Sequence, residues 1–340
     1  METVTIKDIA KALNLSTSTV SRALRGSYEI NAETKRLVTE YAEKVHYVPN
    51  PIALSLKENK SKAIGVIVPE IANHFFSQAI NGIEDIANQR GYHVVIFQSH
   101  ESYEREVANV QHIIARKVDG LLISLSGQTE NMSHLQEIQR KNLPLVLFDR
   151  VSDEIICNKV VADNFDGAFR ATEHLILSGR KKIAHITSPS LLSISQERLA
   201  GYKAALEKYQ IMYDENLVKH CGFGAEEVKK LVDDLIETQK PDALFTTSDR
   251  LALDCFSALK ENHISMPDEI AFIGFTNLKV AHLFDPPLST VVQPAFEIGQ
   301  AAAELLLDSI ERKQATVEQF QTIKIPTEMV IRESSKCIEP

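Results

Sequence analysis

The stretch Ser16-Thr17-Ser18-Thr19-Val20-Ser21-Arg22-Ala23-Leu24 decides how this chain is read. Ser16 is a natural helix N-cap, and Val20, Ala23 and Leu24 recur at helical spacing, so that face turns inward. Thr17, Ser18, Ser21 and Arg22 are left on the outer side, and Gly26 stops the helix. Upstream, Thr5 can cap a first helix that carries Asp8 in its first turn and Ile6, Ile9, Ala10 and Leu13 on one face. Asn14 offers the left-handed residue between the two helices. Downstream, Asn31 caps a third helix with Leu37, Val38, Tyr41, Ala42 and Val45 as its core stripe. This is helix-turn-helix geometry. A small helical bundle or a dimerisation cap fits the same spacing, but the outer face favours DNA. Small hydroxyl side chains at a helix start admit phosphates and base edges, and Arg22 can fork onto a guanine.

The charge distribution agrees. The 340 residues carry a net charge of −9, yet residues 1–62 hold 10 Lys/Arg against 7 Asp/Glu, net +3, and the remainder holds 27 against 39, net −12. A small basic module on an acidic body is the expected pattern, although three excess charges are weak alone. Between the two lies Val48-Pro49-Asn50-Pro51-Ile52-Ala53-Leu54-Ser55-Leu56, then a polar run to Lys62. Asn50 can cap a helix that has Pro51 in its first turn, but so short a helix orders only against a partner. An interdomain linker with incidental apolar residues is the other reading. A composition of 44% hydrophobic and 24% charged residues is that of a globular protein. Cys157, Cys221, Cys255 and Cys337 form no CxxC pair and are expected to be idle thiols. With no signal-peptide run and no membrane-length apolar stretch, the expectation is a cytoplasmic chain without a membrane partner.

From Ala63 onward, apolar runs alternate with amphipathic helical stretches. Ile64-Gly65-Val66-Ile67-Val68, Val94-Val95-Ile96-Phe97, Leu121-Leu122-Ile123 and Leu145-Val146-Leu147-Phe148 form one series. Ile183-Ala184-His185-Ile186, Ala243-Leu244-Phe245 and Ile270-Ala271-Phe272-Ile273 form a second. Continuous apolar strands between helices mean parallel sheets covered on both faces. About ten strands suggest two lobes, since one sheet that wide is rare.

Ligands of such sheets bind beyond the carboxyl ends of the strands. The residues there are Asn73, His74, Phe75 and Phe76, then Ser124 and Ser126, then Asp149 and Arg150. The second series adds Arg198, Phe223, Ser248, Asp249, Thr276 and Asn277. Aromatics, short polar groups and an arginine suit a sugar or a similarly polar ring. Phe75 and Phe76 are adjacent, so one is expected in the cleft and the other in the core. His74 reads as a loop residue, and Asp149 has Arg150 as an alternative partner. No GxxxxGK[ST], GxGxxG after a strand, GxSxG or HExxH occurs, so neither an enzyme nor a cofactor is expected.

Val4-Thr5-Ile6-Lys7-Asp8-Ile9-Ala10, Ser16-x-x-Thr19-Val20-Ser21-Arg22-Ala23-Leu24 and Tyr47-Val48-Pro49-Asn50 closely resemble the head of the LacI/GalR family of bacterial repressors. The resemblance implies an all-α helix-turn-helix head with a hinge helix, followed by an α/β two-lobed body like a periplasmic binding protein, with two parallel doubly wound sheets. The implied boundaries are residues 1–48 for the head, 49–62 for the hinge helix and linker, and 63–340 for the body. Within the body, the N-lobe spans about 63–161 and 292–322, and the C-lobe about 162–291 and 323–340, with crossings near Ala162, Val291 and Ile323. The implied DNA-contacting set is Thr5, Ser16, Thr17, Ser18, Thr19, Ser21, Arg22, Asn50, Ala53 and Leu56. Leu56 falls on the position that wedges open a minor-groove base step. Leu54 stands where many members carry arginine. The implied effector set is Asn73, Phe75, Phe76, Ser124, Asp149, Arg198, Phe223, Ser248, Asp249 and Asn277. Arg198, in Gln196-Glu197-Arg198-x-x-Gly201-Tyr202, falls on the effector-binding arginine. Where many members have two aspartates, this chain has Gly274-Phe275-Thr276-Asn277, so no known effector transfers to it.

The resemblance therefore implies a sequence-specific regulator, a repressor by expectation. Its partners would be a pseudo-palindromic operator, a small polar effector such as a sugar, and a second copy of the chain. The competing class is a transport-type solute-binding protein or a sugar-acting enzyme. The head opposes the first and the missing motifs oppose the second. The tail Ser334-Ser335-Lys336-Cys337-Ile338-Glu339-Pro340 has no leucine heptads, which favours a dimer over a tetramer.

Overall fold

Helix α1 (Ile6–Ala12) starts where the Asp8 carboxylate reaches back to accept the backbone N–H of Thr5 (2.9 Å) and its hydroxyl (2.6 Å). Those two bonds hold the Asp8 carboxyl below its usual range. Asn14 makes the turn at φ 53°. Helix α2 (Thr17–Leu24) begins with Ser16 Oγ accepting the Thr19 N–H at 3.0 Å. Helix α3 (Ala32–Lys44) begins with Asn31 Oδ1 accepting the Thr34 N–H at 2.7 Å. Ile9, Ala10, Val20, Ala23, Val38 and Ala42 form the small core, with Tyr41 and Val45 packed against it. Leu37 does not join it. It is 47% exposed, because Val38, Tyr41, Ala42 and Val45 already complete the inward stripe and Leu37 lies just outside its edge, about 40° beyond Tyr41.

The computed structural model describes residues 4–47, 61–222, 224–312 and 319–336. The chain divides into two units, residues 1–61 and 62–340. Asn50, Ala53, Leu56 and Phe223, four of the expected contact residues, lie outside the described residues.

The second unit holds two six-stranded sheets. The N-lobe contributes β1 (Ala63–Val68), α4 (His74–Gln89), β2 (His93–Gln98), α5 (Tyr103–Arg116), β3 (Gly120–Ile123), α6 (Ser133–Arg140), β4 (Leu145–Phe148) and β5 (Asn158–Ala162). The chain crosses at Asp163 into α7 (Asn164–Leu177), β6 (Ile183–Thr187), α8 (Ser193–Lys208), β7 (Val218–His220), α9 (Ala225–Asp234), β8 (Ala243–Thr246), α10 (Asp249–Glu261), β9 (Ala271–Phe275) and β10 (Ser289–Val292). It returns as α11 (Ala295–Glu311) and β11 (Thr322–Ile325), then crosses again to β12 (Glu328–Val330). The strand orders are β11-β5-β4-β3-β1-β2 and β12-β10-β9-β8-β6-β7.

Three details depart from the expectation. β12 pairs antiparallel with β10, so the second sheet is mixed at its edge. β11 stays in the N-lobe sheet through Ile325, paired with Ala162, which places the third crossing at residues 326–327, beyond Ile323. The strands number twelve among the described residues, because β7, β11 and β12 are short edges without a continuous apolar run.

Each sheet is covered on both faces, and the site-bearing helices sit unusually close to their neighbours. A Cβ at Gly82 of α4 would lie 2.1 Å from the Phe296 carbonyl oxygen of α11, and one at Gly299 would lie 2.0 Å from that of Ala79. In the C-lobe, a Cβ at Gly201 of α8 would lie 2.3 Å from the Phe165 carbonyl oxygen of α7. Those backbones touch because no side chain separates them. No helix among the described residues is long and apolar enough to cross a membrane.

Because backbone cannot move aside as a side-chain tip can, Gly299→Ala is expected to destabilise the body by about 1–3 kcal/mol. Urea unfolding checks this. An unchanged midpoint would mean that α4 and α11 separate without cost.

Candidate functional site

On the head, Thr17, Ser18 and Arg22 of α2 are exposed, while Thr19 and Ser21 are half-buried. Ser16, Ser18 and Thr19 hydroxyls cluster within 2.7–2.8 Å at the helix start, and no acidic residue occupies its first turn. The partial positive charge of that helix end is therefore unopposed and suits a phosphate. Arg22 pairs with Glu29 at 3.3 Å, both about half exposed. An exposed pair of that kind is worth little, so Arg22 can exchange Glu29 for a base edge at small cost.

In the second unit, a cleft forms where the carboxyl ends of the two sheets face each other. Its N-lobe wall is Asn73, Phe75, Phe76, Asp149 and Arg150. Its C-lobe wall is Ile194, Arg198, Ser248 and Asp249, and Gln293 closes it at the second crossing. Asn73 is placed by capping α4, with its Oδ1 accepting the Phe75 N–H at 2.9 Å. Both phenylalanines reach the cleft, contrary to the expectation of one. They stand edge to face with centroids 5.3 Å apart, so each ring supports the other. Ser248 caps α10, and Asp249 follows it into the cleft.

Arg198 is the centre of the C-lobe wall. It is 2% exposed. Its Nε donates to Asn164 Oδ1 (2.9 Å), Nη2 to Gln293 Oε1 (2.9 Å) and Nη1 to the Thr247 carbonyl, while Phe275 stacks beneath it at 3.9 Å. Burial lowers its pKa to about 10, which leaves it charged at neutral pH. Every fixed partner in that set is neutral. Burial also pushes Asp149 up to about 6 against the opposing pull of Arg150 and Arg198. Arg150 is 4.0 Å from Asp149 but is held more closely by Glu101, at 3.0 and 2.7 Å.

Asp249 is satisfied on one side only. Its Oδ1 accepts the Thr276 hydroxyl (2.6 Å) and the Asn277 N–H (2.7 Å), while its buried Oδ2 has no hydrogen-bond partner among the described residues. A buried lone acceptor is costly, and a ligand hydroxyl would satisfy it. Two carboxylates face two guanidinium groups, so the lining is balanced in charge. The free space between them is about 30 Å³. That holds one water, so a ring enters only if the lobes part.

Of the expected effector residues, Asn73, Phe75, Phe76, Asp149, Arg198, Ser248 and Asp249 meet in this cleft. Ser124 and Asn277 stand behind its lining. Ser124 Oγ is 3.5 Å from the Arg150 backbone N–H, and Asn277 bonds the backbone of Gln293 in both directions (2.7 and 2.8 Å). Sequence reasoning missed Ile194 and Gln293. Gln293 directly follows a strand at a crossing, a position whose importance shows only once the topology is known. The three described cysteines are buried with thiol pKa values pushed up by burial, which makes them poor nucleophiles.

Residues 5–50 match the family model for bacterial regulatory proteins of the lacI family. Residues 61–333 match the one for periplasmic binding proteins and the sugar-binding domain of the LacI family. The chain is 35% identical over 308 residues to the HTH-type transcriptional repressor CytR of Escherichia coli strain K12, covering 90% of each chain. It is 31% identical over 318 residues to the HTH-type transcriptional repressor PurR of Vibrio atlanticus, covering 93% of this chain and 95% of that one. Among solved structures, the lac repressor dimer bound to operator and the anti-inducer ONPF superposes with a TM-score of 0.85 at 25% identity, covering 98% of this chain and 99% of that one. These relatives are transcriptional repressors, not enzymes.

Asp149 generates a pH prediction. Its carboxyl is neutral more readily in the folded body than in the unfolded chain. Its contribution to stability is thus fully present below its unfolded value near pH 4 and is lost as pH rises through about 6. Asp149→Asn is expected to raise the melting temperature at pH 7.5, by up to about 3 kcal/mol of stability, and to give almost no gain at pH 4. Calorimetric melts at the two pH values test this, and an equal shift at both would reject burial as the cause.

Proposed function

The chain belongs to the LacI family of bacterial regulatory proteins, and from that premise we propose that it is a homodimeric repressor controlled by a small polyhydroxylated effector. The observation that carries this reading is the pairing, in one chain, of a base-reading face on α2 with a charge-balanced interlobe cleft. The cleft offers what a sugar or a sugar derivative such as a nucleoside needs: Arg198 to donate, Asp149 and the free Asp249 Oδ2 to accept, and a phenylalanine edge for the ring. Equal numbers of aspartates and arginines favour a neutral ligand over a polyanion.

Two heads on a dimer would read a pseudo-palindromic operator, with Thr17, Ser18 and Arg22 at base edges and Thr5, Ser16, Thr19 and Ser21 along the backbone. Asn50, Ala53 and Leu56 would order as a hinge helix when two copies meet on DNA. An effector that favours one separation of the lobes changes operator affinity by its differential affinity for the two states.

Arg22→Ala is expected to cost about 1–3 kcal/mol of specific binding and to relax discrimination at one base pair. Operator titrations at fixed salt measure it, and undiminished discrimination would remove Arg22 from the base-reading set. For the cleft, calorimetry against a panel of neutral sugars and nucleosides should find a ligand whose heat disappears in Arg198→Ala. Normal ligand binding by that variant would refute the cleft assignment. The same variant should melt earlier, since Asn164, Gln293 and Thr247 each lose a buried donor worth about 1–3 kcal/mol.

A further inference from the structure

A second cavity, of about 650 Å³, opens between the lobes on the side of the crossings. Its N-lobe floor is built from β5 and β11. Lys159 pairs with Thr322 and Val161 with Lys324 in parallel register, so these four side chains share one face. The opposite face of the same strands, with Val160, Ala162, Ile323 and Ile325, is covered by α11. The C-lobe wall is the start of α8. Arg150 lines both this chamber and the effector cleft, and its bonds to Glu101 make it a partition.

The floor is basic. Lys159 is 8% exposed, and its Nζ lies 2.5 Å from Asp153, whose side chain is fully exposed. A buried ammonium needs an anionic partner. Here the partner is a surface carboxylate that water solvates equally well, so it is easily replaced. Lys324 Nζ lies 3.8 Å from Asp163 Oδ1 at the first crossing. Two ammonium groups on neighbouring strands thus face one chamber, Lys159 beside the exposed Asp153 and Lys324 beside Asp163, with Glu130, Glu154 and Glu197 elsewhere on its wall. The chamber is within the size range of metabolite sites.

We propose that this chamber is a second ligand site, separate from the effector cleft, for a small metabolite bearing one oxyanion group, phosphate or carboxylate, held by Lys159 and Lys324. The anion takes the place of Asp153 on Lys159 and draws Lys324 from Asp163. Asp163 is part of the hinge: its N–H donates to Ile325 O (2.8 Å) and its Oδ1 accepts the Asp166 N–H (3.1 Å) to cap α7. Glu197, on the chamber wall, accepts from Asn164 Nδ2 (3.0 Å), and Asn164 in turn accepts from Arg198. An occupant therefore reaches the hinge through Lys324 and the effector arginine through Glu197 and Asn164.

Calorimetry on the full chain tests the site with inorganic phosphate, citrate and glucose 6-phosphate, and with glucose as the neutral arm. At least one oxyanion probe is expected to bind saturably, and the responding probe identifies phosphate or carboxylate as the group. Lys159→Gln combined with Lys324→Gln should weaken that binding by about tenfold or more, as the loss of charge-assisted bonds demands. Asp153→Asn, a change at a fully exposed side chain, should tighten it several-fold by removing the competitor. That gain cannot arise from a folding defect, and Lys324→Gln alone alters only a half-exposed position. No probe binding more tightly than about 10 mM would overturn the proposal. So would binding that ignores Lys159, Lys324 and Asp153 alike, which would put the anion elsewhere, including in the effector cleft.

Discussion

Everything in the effector cleft depends on burying one cation, Arg198, among neutral acceptors. A buried charge normally demands an opposite charge, and an isolated one costs several kcal/mol. Here two side-chain amide oxygens, a backbone carbonyl and an aromatic face carry the guanidinium, each from a different element. Those partners sit at α7, the end of β9, the loop after β8 and the second crossing. The arginine is therefore a joint for the C-lobe, and in the proposed reading it is also the donor to ligand. Beside it, the Oδ2 of Asp249 is buried without a hydrogen-bond partner among the described residues, and Asp149 shares the same wall. Their remaining acceptor capacity is what a hydroxylated ligand can meet.

The close helix contacts serve the same site. Phe75 and Phe76 sit at the start of α4, and Arg198 sits one turn from the start of α8. Each helix is locked to its neighbour by backbone contact, at Gly82 and Gly299 in one lobe and Gly201 in the other. Each lobe is thereby stiff within itself, and the compliance of the body is concentrated in its three crossings. A cleft with room for one water can then open only by moving whole lobes. That is the kind of motion a dimer can convert into a change in head spacing.

Much of this was legible in the sequence, and what was not has physical causes. Ser16, Asn31 and Asn14 announced their roles because caps and left-handed turns are local, decided by a few atoms within one turn. The buried β5 and β10, which open on polar residues, went unnamed, while seven strands were visible as continuous apolar runs. β7, β11 and β12 were not, since a short edge strand buries little and its pattern resembles a loop. Leu37 was misplaced because helical spacing alone cannot say how wide an inward stripe the neighbours will cover. Gln293 and Ile194 were missed because a crossing residue gains its role only from topology. Ser124 and Asn277 were correctly drawn toward the cleft by position, but a strand end places a residue near a ligand without deciding whether it lines the wall or supports it.

The crossings also show how little energy control requires. Arg198 bonds Asn164 at the first crossing and Gln293 at the second, so a ligand that competes for its N–H groups acts on the hinge without an intermediate. Breaking or making one such buried bond is worth about 1–3 kcal/mol. Allosteric coupling of about 1–3 kcal/mol changes affinity by about 5- to 150-fold. One hydrogen bond exchanged at Arg198 therefore matches the whole scale of the expected response. In the proposed reading the head needs no large force, because Arg22 would give up only an exposed pair with Glu29 to reach a base. In the same reading, its weak positive charge would make binding by a single copy marginal and leave the decision to the geometry that pairs two of them.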